Sequence, residues 1–268
     1  MFMTNSLNAA KIYGHMSGMA REHMAQQNVQ VFAELPSTQT YLSDSDSVVN
    51  ALVVAESQTE GRGRLERSWH SSSAKNIMFS CSWLYRQAPA QLPALSLALI
   101  VVVAEYLQDD YDLPVAIKWP NDLLLNGQKI AGLLLNVETG KACCIVAGFG
   151  LNVRQSLENN RIDQPWTDLH QQGVTGLDRN KMIADIVSRW IQVFIDFEQY
   201  GFTEFQERWN CLAHFQGELV CAKKHSGKST DELKGVLQGV DEQGLLVLND
   251  NGKQIKISDS SYSLRRVV

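Results

Sequence analysis

Three arginines within six positions mark the first segment able to do chemistry. Residues 56 to 69 run E-S-Q-T-E-G-R-G-R-L-E-R-S-W, which interleaves Gly61 and Gly63 with Arg62, Arg64 and Arg67. Guanidinium groups stay charged and grip carboxylate or phosphate oxygens bidentately. The glycines let backbone N–H groups turn toward the same anion. Such a segment suits an anion site, and a solvated basic loop or a nucleic-acid contact is the alternative. A second candidate is Lys118-Trp-Pro-Asn-Asp122 followed by Lys129-Ile-Ala-Gly132. The intervening Asn126-Gly127 favours a tight hairpin. A hairpin there brings Asp122 near Lys129 and could hold the ammonium pointed into a cleft; the alternative is a surface ion pair worth little. The third is Gly148-Phe-Gly150-Leu-Asn152. A G-x-G turn after an apolar strand admits a ligand close to the backbone, and Asn152 can hydrogen-bond a base or a ribose. Without a third glycine opening a helix it is not a dinucleotide fingerprint.

These segments need elements to hold them. Val29 to Phe32 reads as a strand, and Ser37 or Thr38 can cap a short helix through Leu42. Ala51 to Ala55 and Asn76 to Leu84 are strands flanking the arginine segment, whose length implies a functional loop. Leu92 to Leu107 is a helix with Leu95, Leu99, Val102, Val103 and Tyr106 on one face. Val115 to Trp119, Leu123 to Leu125, Ile130 to Val137 and Ala142 to Phe149 are short strands separated by turns. After a connecting loop over 154–178, Asn180 can cap a helix that runs to Tyr200 and ends at Gly201. A second helix spans Thr203 to Leu212. From Gly217 onward, strands at Glu218–Ala222, Leu233–Val240, Leu245–Leu248 and Lys253–Ile257 predict a small all-β barrel. Residues 1–28 read as a loose helix or an arm, too short for a winged-helix module.

Composition narrows the class. The 268 residues are 44% apolar and 20% charged, enough for a core and compatible with a main domain plus a small one. A net charge of −5 argues against a surface built to coat nucleic acid. Five cysteines without C-x-x-C spacing point away from a disulfide framework or structural zinc and toward a reducing cytoplasm. The apolar run Leu97 to Ala104 is too short to cross a bilayer, so no membrane partner is expected.

Order and spacing together carry more than any one segment. Ser37-Thr38 after a first strand, Gln58 leading into G-R-G-R-x-x-R-x-W, K-W-P-N-D with K-x-x-G behind it, G-x-G-x-N, and a terminal barrel closing on Ser263-Leu-Arg265 resemble the biotin protein ligases, or biotin–[acetyl-CoA-carboxylase] ligases. The resemblance covers about residues 29 to 268. It implies an α+β fold: a mixed sheet flanked by helices, class II synthetase-like, over 29–216, then an SH3-like barrel over 217–268. It implies activation of biotin by ATP and Mg²⁺ to biotinyl-5′-AMP, and transfer to one lysine of an apo biotin carboxyl carrier protein. By resemblance Ser37, Thr38, Gln39 and Gln58 contact the ureido end of biotin, with Arg62, Gly63 and Gly132 beside the ligand. Lys129 sits at the carboxylate and α-phosphate, oriented by Asp122, and Arg64 spans biotin and the adenylate. Arg67, Trp69, Asn121, Asn152 and Arg265 face the nucleotide. A homodimer is compatible with the family, and no DNA partner is expected without a winged helix.

The sequence departs from the family pattern at three positions. Gln39 stands for the usual Asn of Ser-Thr-Asn, Glu66 for a third glycine in the arginine loop, and Asn136 for a common Glu. Two other readings remain: a lipoate or octanoate ligase of the same fold, and a non-catalytic RNA-binding module. The arginine loop with the terminal barrel favours biotin over the first. The acidic balance, with no aromatic-basic interleaving, disfavours the second.

Overall fold

The computed structural model describes residues 6–44, 50–65, 67–69, 75–85, 88–89, 91–139, 142–154, 164–224, 231–258 and 261–267. Among the described residues, twelve strands form two sheets, accompanied by six α-helices. The larger sheet has the order β1(Val29–Phe32)-β2(Leu52–Ala55)-β3(Ile77–Tyr85)-β7(Cys143–Leu151)-β6(Gln128–Thr139)-β5(Asp122–Leu125)-β4(Val115–Lys118). Only β1 and β2 run parallel; every other neighbour is antiparallel. The mixed sheet flanked by helices is therefore present.

Its strands are apolar on both sides because both faces are covered. In β2, Leu52 and Val54 join the main core, while Val53 and the preceding Ala51 join a smaller cluster with Leu42 and Val146. The short helix α3(Thr38–Ser43) covers that second face, with Ser37 as its N-cap as expected. On the opposite face lie α4(Leu95–Tyr111) and α5(Arg179–Tyr200), where Trp190 meets Phe79 and Phe149 at centroid distances of 5.2 and 5.9 Å. Aromatic contacts of this kind contribute about 0.5–1.5 kcal/mol each beyond area burial.

Several expectations change. Helix α4 does not present one face: Leu97, Ile100, Val101 and Ala104 are buried as well as the expected residues, because the sheet, α5 and α6(Thr203–Leu212) surround it. With its short 3-10 lead, Leu92–Tyr111 is 20 residues long and apolar enough to cross a membrane by length and composition, yet 67% of the apolar window is buried within the fold. The cap of α5 is Asp178, whose side chain accepts from Asn180 N at 2.9 Å. Asn180 is instead buried, accepting from Asn8 N and donating to Ser6 O. That contact reflects a larger difference. The expected arm forms α1(Ala9–His15) and α2(Gly18–His23), which bury Ile12, Met16, Ala20 and Met24 against α5. Their apolar residues are spaced three to four apart, and packing rather than propensity makes such short helices stable.

The second sheet is antiparallel, in the order β11(Lys253–Ile257)-β10(Leu246–Asp250)-β9(Glu232–Val240)-β8(Leu219–Lys224)-β12(Tyr262–Arg266). Strand β12 holds Ser263-Leu-Arg265, on which the barrel was expected to close, although its strand pattern is not legible in the sequence. Among the described residues β11 and β12 do not pair; the five-stranded antiparallel sheet is consistent with the expected SH3-like barrel, though the barrel is not closed. Its Leu237, Val240, Leu246 and Leu248 are continuous with the main core. Asn210 of α6 clamps it by accepting from Val240 N at 2.7 Å and donating to Val240 O at 3.3 Å.

Candidate active site

A cleft of about 600 Å³ opens on the α3 face of the large sheet, bounded on one side by Ser261, Tyr262, Ser263 and Arg265 of the second sheet. Three glycines build its floor. Gly132 and Gly150 are register partners in β6 and β7, and Gly148 lies opposite Ser80 of β3. Because side chains alternate along a strand, Gly148 and Gly150 face the same way. A Cβ on Gly150 would stand 2.4 Å from Trp69 Cε2, and one on Gly148 would stand 2.3 Å from Gln39 Oε1. Gly148-Phe-Gly150 lies within β7 and not in the expected turn after it, and two of the chain's own side chains make the close approach to its backbone.

At the buried end, Ser37, Thr38 and Gln39 are each less than 5% exposed. Gln58 Oε1 accepts from Thr38 N at 2.7 Å and lies 3.2 Å from Thr38 Oγ1. A backbone bridge from Leu35 to Gln58 fixes that approach. Ser80, not expected from the sequence, joins this group at 2.9 Å from Thr38 Oγ1. A polar residue inside the buried run Phe79-Ser-Cys-Ser82 was the available signal.

The arginine segment is a small hairpin, not a structureless loop. Arg62 bridges Ser68, Gly63 N donates to Arg67 O at 2.7 Å, and Trp69 N donates to Gly61 O at 2.8 Å. Gly61 is required here, since a Cβ would lie 2.6 Å from Trp69 O. The hairpin directs Arg64 to Asn121, whose Oδ1 accepts from Arg64 Nη1 at 3.1 Å. Asn121 Nδ2 in turn donates to Leu133 O. Glu66 lies outside the described residues, and Asn136 is exposed on β6, away from the cleft lining.

Lys129 owes its position to a bulge. Register along β5 and β6 pairs Asp122 with Gly132 and Leu124 with Lys129, with one extra residue on β6 between them. Without the bulge Lys129 and Gly132, three apart, would face opposite sides. With it both face the cleft, and Lys129 Nζ lies 2.6 Å from Asp122 Oδ1. Both side chains are under 20% exposed. The ammonium also stands 5.5 Å from the Trp69 ring centroid.

Further cations gather around Lys118, the neighbour of Asp122. Lys118 is its register partner across β4 and β5. Burial pushes the Lys118 ammonium below the ordinary lysine value against the pull of Asp122, and Lys129, Arg265 and Arg67 push it the same way. Electropositive potential is thus concentrated beside one carboxylate, an arrangement suited to an arriving polyanion. At the far side Trp69 Nε1 is shielded from water with no hydrogen-bond partner among the described residues. Asn152 is mostly committed to structure: its Nδ2 donates to Thr167 O at 3.1 Å and its backbone bonds Ile130 and Leu169. Its Oδ1 and second N–H are what it could offer a nucleotide.

Every residue to which the resemblance gives a ligand-contacting or catalytic role, from Ser37 to Arg265, lines this one cleft. Trp166, Tyr262 and Ser80 also line it and were not expected. Among the described residues the cleft offers no ready-made protein cage for a divalent ion. Among the described residues no three His, Cys, Asp or Glu side chains cluster, and the carboxylate of Asp122 is already on Lys129.

Comparisons with known proteins agree with this geometry. The profile of the Biotin/lipoate A/B protein ligase family matches residues 31–152. The bifunctional ligase/repressor BirA of Escherichia coli (strain K12) is 34% identical over 254 residues, covering 92% of this chain and 74% of that protein. The biotin–[acetyl-CoA-carboxylase] ligase of Paracoccus denitrificans is 32% identical over 219 residues, covering 77% of this chain and 87% of that one. Among solved structures, the biotin protein ligase from Aquifex aeolicus in complex with biotin and ATP aligns with a TM-score of 0.77 at 28% identity, over 90% of this chain and 100% of that one. Shared motifs, a shared fold and one cleft that gathers them lead to a single assignment: the chain belongs to the biotin protein ligases of the biotin/lipoate A/B protein ligase family.

Proposed function

We infer that this biotin protein ligase carries out two steps in the cleft described above. In the first, a carboxylate oxygen of biotin attacks the α-phosphorus of ATP; the acyl–O–P bond forms, the bond to the β-phosphate oxygen breaks, and pyrophosphate leaves. In the second, a deprotonated lysine amine of an apo biotin carboxyl carrier protein attacks the acyl carbon, an amide forms, and AMP leaves. The observation that carries this reading is the Lys129–Asp122 pair at 2.6 Å, set by the β6 bulge beside Gly132 and Trp69.

Two anions must meet in the first step. Lys129, held by Asp122, offsets their repulsion and stabilises charge developing at the α-phosphate. Arg64, anchored on Asn121, reaches the same zone from the hairpin, and Arg62 and Gly63 lie beside the ligand. Arg67 and Arg265 receive the outer phosphates, while Trp69 and Asn152 border the adenosine. Ser37, Thr38 and Gln58 hold the ureido group, a neutral polar end on an otherwise apolar ligand. Magnesium would arrive with the triphosphate, and the protein's own residues would act as described without holding it. We further propose residues 29–216 as the catalytic unit and 217–268 as the unit that supplies Arg265. A reducing cytoplasm suits the five free thiols.

A biotin-dependent ATP–pyrophosphate exchange assay, followed by transfer to an apo carrier domain, tests the reading. Exchange with biotin and transfer to carrier are the expected results. Exchange supported by lipoate or octanoate in place of biotin would overturn it.

A further inference from the structure

The side chains behind the buried end of the cleft form a hydrogen-bonded relay whose direction is fixed. Gln39 Nε2 donates to Val146 O at 2.8 Å. A backbone carbonyl only accepts, so this bond decides which way the amide faces. Its Oε1 is then the atom that meets Ser80, and the Ser80 hydroxyl donates to it at 3.1 Å. A serine has one proton, and this bond commits it.

The direction of the next contact follows. Thr38 Oγ1 lies 2.9 Å from Ser80 Oγ, and with the Ser80 proton committed, Thr38 must be the donor. The other acceptor within reach of the Thr38 proton is Gln58 Oε1 at 3.2 Å, which already takes Thr38 N–H. With either partner the Thr38 proton is turned into the protein, so Thr38 Oγ1 offers the cleft only lone pairs. Gln58 is fixed the other way: its oxygen faces Thr38, and its Nε2 is the donor that remains. The buried end therefore presents an acceptor beside a donor.

That pattern matches one edge of a cyclic urea, where a ring N–H adjoins the carbonyl. A ring lacking the N–H would leave the Thr38 lone pairs facing a group that cannot donate, and a buried unpaired polar group is a strong source of discrimination. The relay is also built tightly onto the sheet. The ideal Cβ position of Gly148 is 2.3 Å from Gln39 Oε1 and 3.2 Å from Ser80 Oγ, so the glycine is what admits the longer glutamine arm. Both Gln39 and Ser80 are buried, and both ends of the Gln39 amide bond protein atoms, which places it behind the ligand-contacting group.

We propose that Gln39 is a positioning residue that acts through Ser80 to fix Thr38 as a hydrogen-bond acceptor, and so selects the N–H edge of the cyclic urea of biotin. This rests on the reading of the cleft as a biotin site.

Calorimetric binding of biotin, and of a biotin methylated on a ring nitrogen, tests it in the full chain and in Ser80→Ala, Gln39→Met and the double variant. Each single variant should weaken biotin about tenfold, and the double variant no more than that, because one relay is broken either way. The methylated analogue, weak from the start, should change less than twofold. In pyrophosphate exchange the loss should fall on the KM for biotin more than on kcat, with the KM for ATP held. Ser80→Ala removes one oxygen and Gln39→Met is near in volume, so a folding failure in one leaves the other to decide. Additive losses, equal losses for both ligands, or unchanged biotin affinity would overturn the relay alone. A full chain that binds no biotin overturns the functional reading and the relay with it.

Discussion

Replacing Lys129 by methionine isolates the charge that the cleft brings to the reacting atoms. The substitution keeps the aliphatic stem that packs at 3.3 Å from the ideal Cβ position of Gly132, and it removes the ammonium 2.6 Å from Asp122. A unit charge about 4 Å from a phosphate oxygen is worth about 4 kcal/mol at an effective dielectric near 20. Asp122 already shares that ammonium, and discounting by about a third leaves about 2.7 kcal/mol. That corresponds to a loss on the order of 10²-fold in adenylate formation. Stability should hold, because Lys118, the register partner of Asp122 and electrostatically coupled to it, can compensate its carboxylate in place of Lys129. Biotin-dependent ATP–pyrophosphate exchange reads the rate, and thermal unfolding reads the fold. Exchange within about twofold of wild type, with an unshifted Tm, would refute the assignment. A large fall in Tm would refute the argument that Lys118 compensates Asp122.

Gly150→Ala places a Cβ where Trp69 Cε2 is 2.4 Å away, so the indole must move; a KM for ATP raised about tenfold with a shifted tryptophan emission is expected, and unchanged emission counts against the packing of Trp69 on the Gly150 backbone. Arg64→Ala frees Asn121 and removes a cation beside the adenylate, so escape or hydrolysis of biotinyl-5′-AMP, followed by single-turnover release, should rise more than its synthesis slows. His214 has its pKa lowered by burial, with Arg266 and Lys118 adding to the shift and Glu218 opposing it. A depressed folded pKa means the unfolded chain takes up the proton first, so this residue costs stability as pH falls below about 6.5. The Tm of His214→Gln should therefore decline less than that of wild type between pH 7 and 5, and parallel declines would remove His214 from the account.

What the sequence determined by itself was local or chemical. Strand and helix positions were legible because burial on one or both sides writes a period into the residues, and Gly201 or Asn126-Gly127 ends an element by backbone conformation alone. The site residues were legible for another reason: arginines, a lysine after an acidic turn and paired glycines have few uses that need them together. Tertiary structure decided the rest. The bulge that turns Lys129 to the same face as Gly132 depends on the β5–β6 register, which no local propensity sets. Helices α1 and α2 are too short to persist alone and exist because α5 offers a surface for Ile12, Met16, Ala20 and Met24. Strand β12 forms because β8 supplies its partner groups. Ser80 and Gln39 became a directed relay only when Gly148 and Val146 O were brought beside them. A hydrogen bond's direction depends on every group around it, and strands far apart in the chain supply those groups.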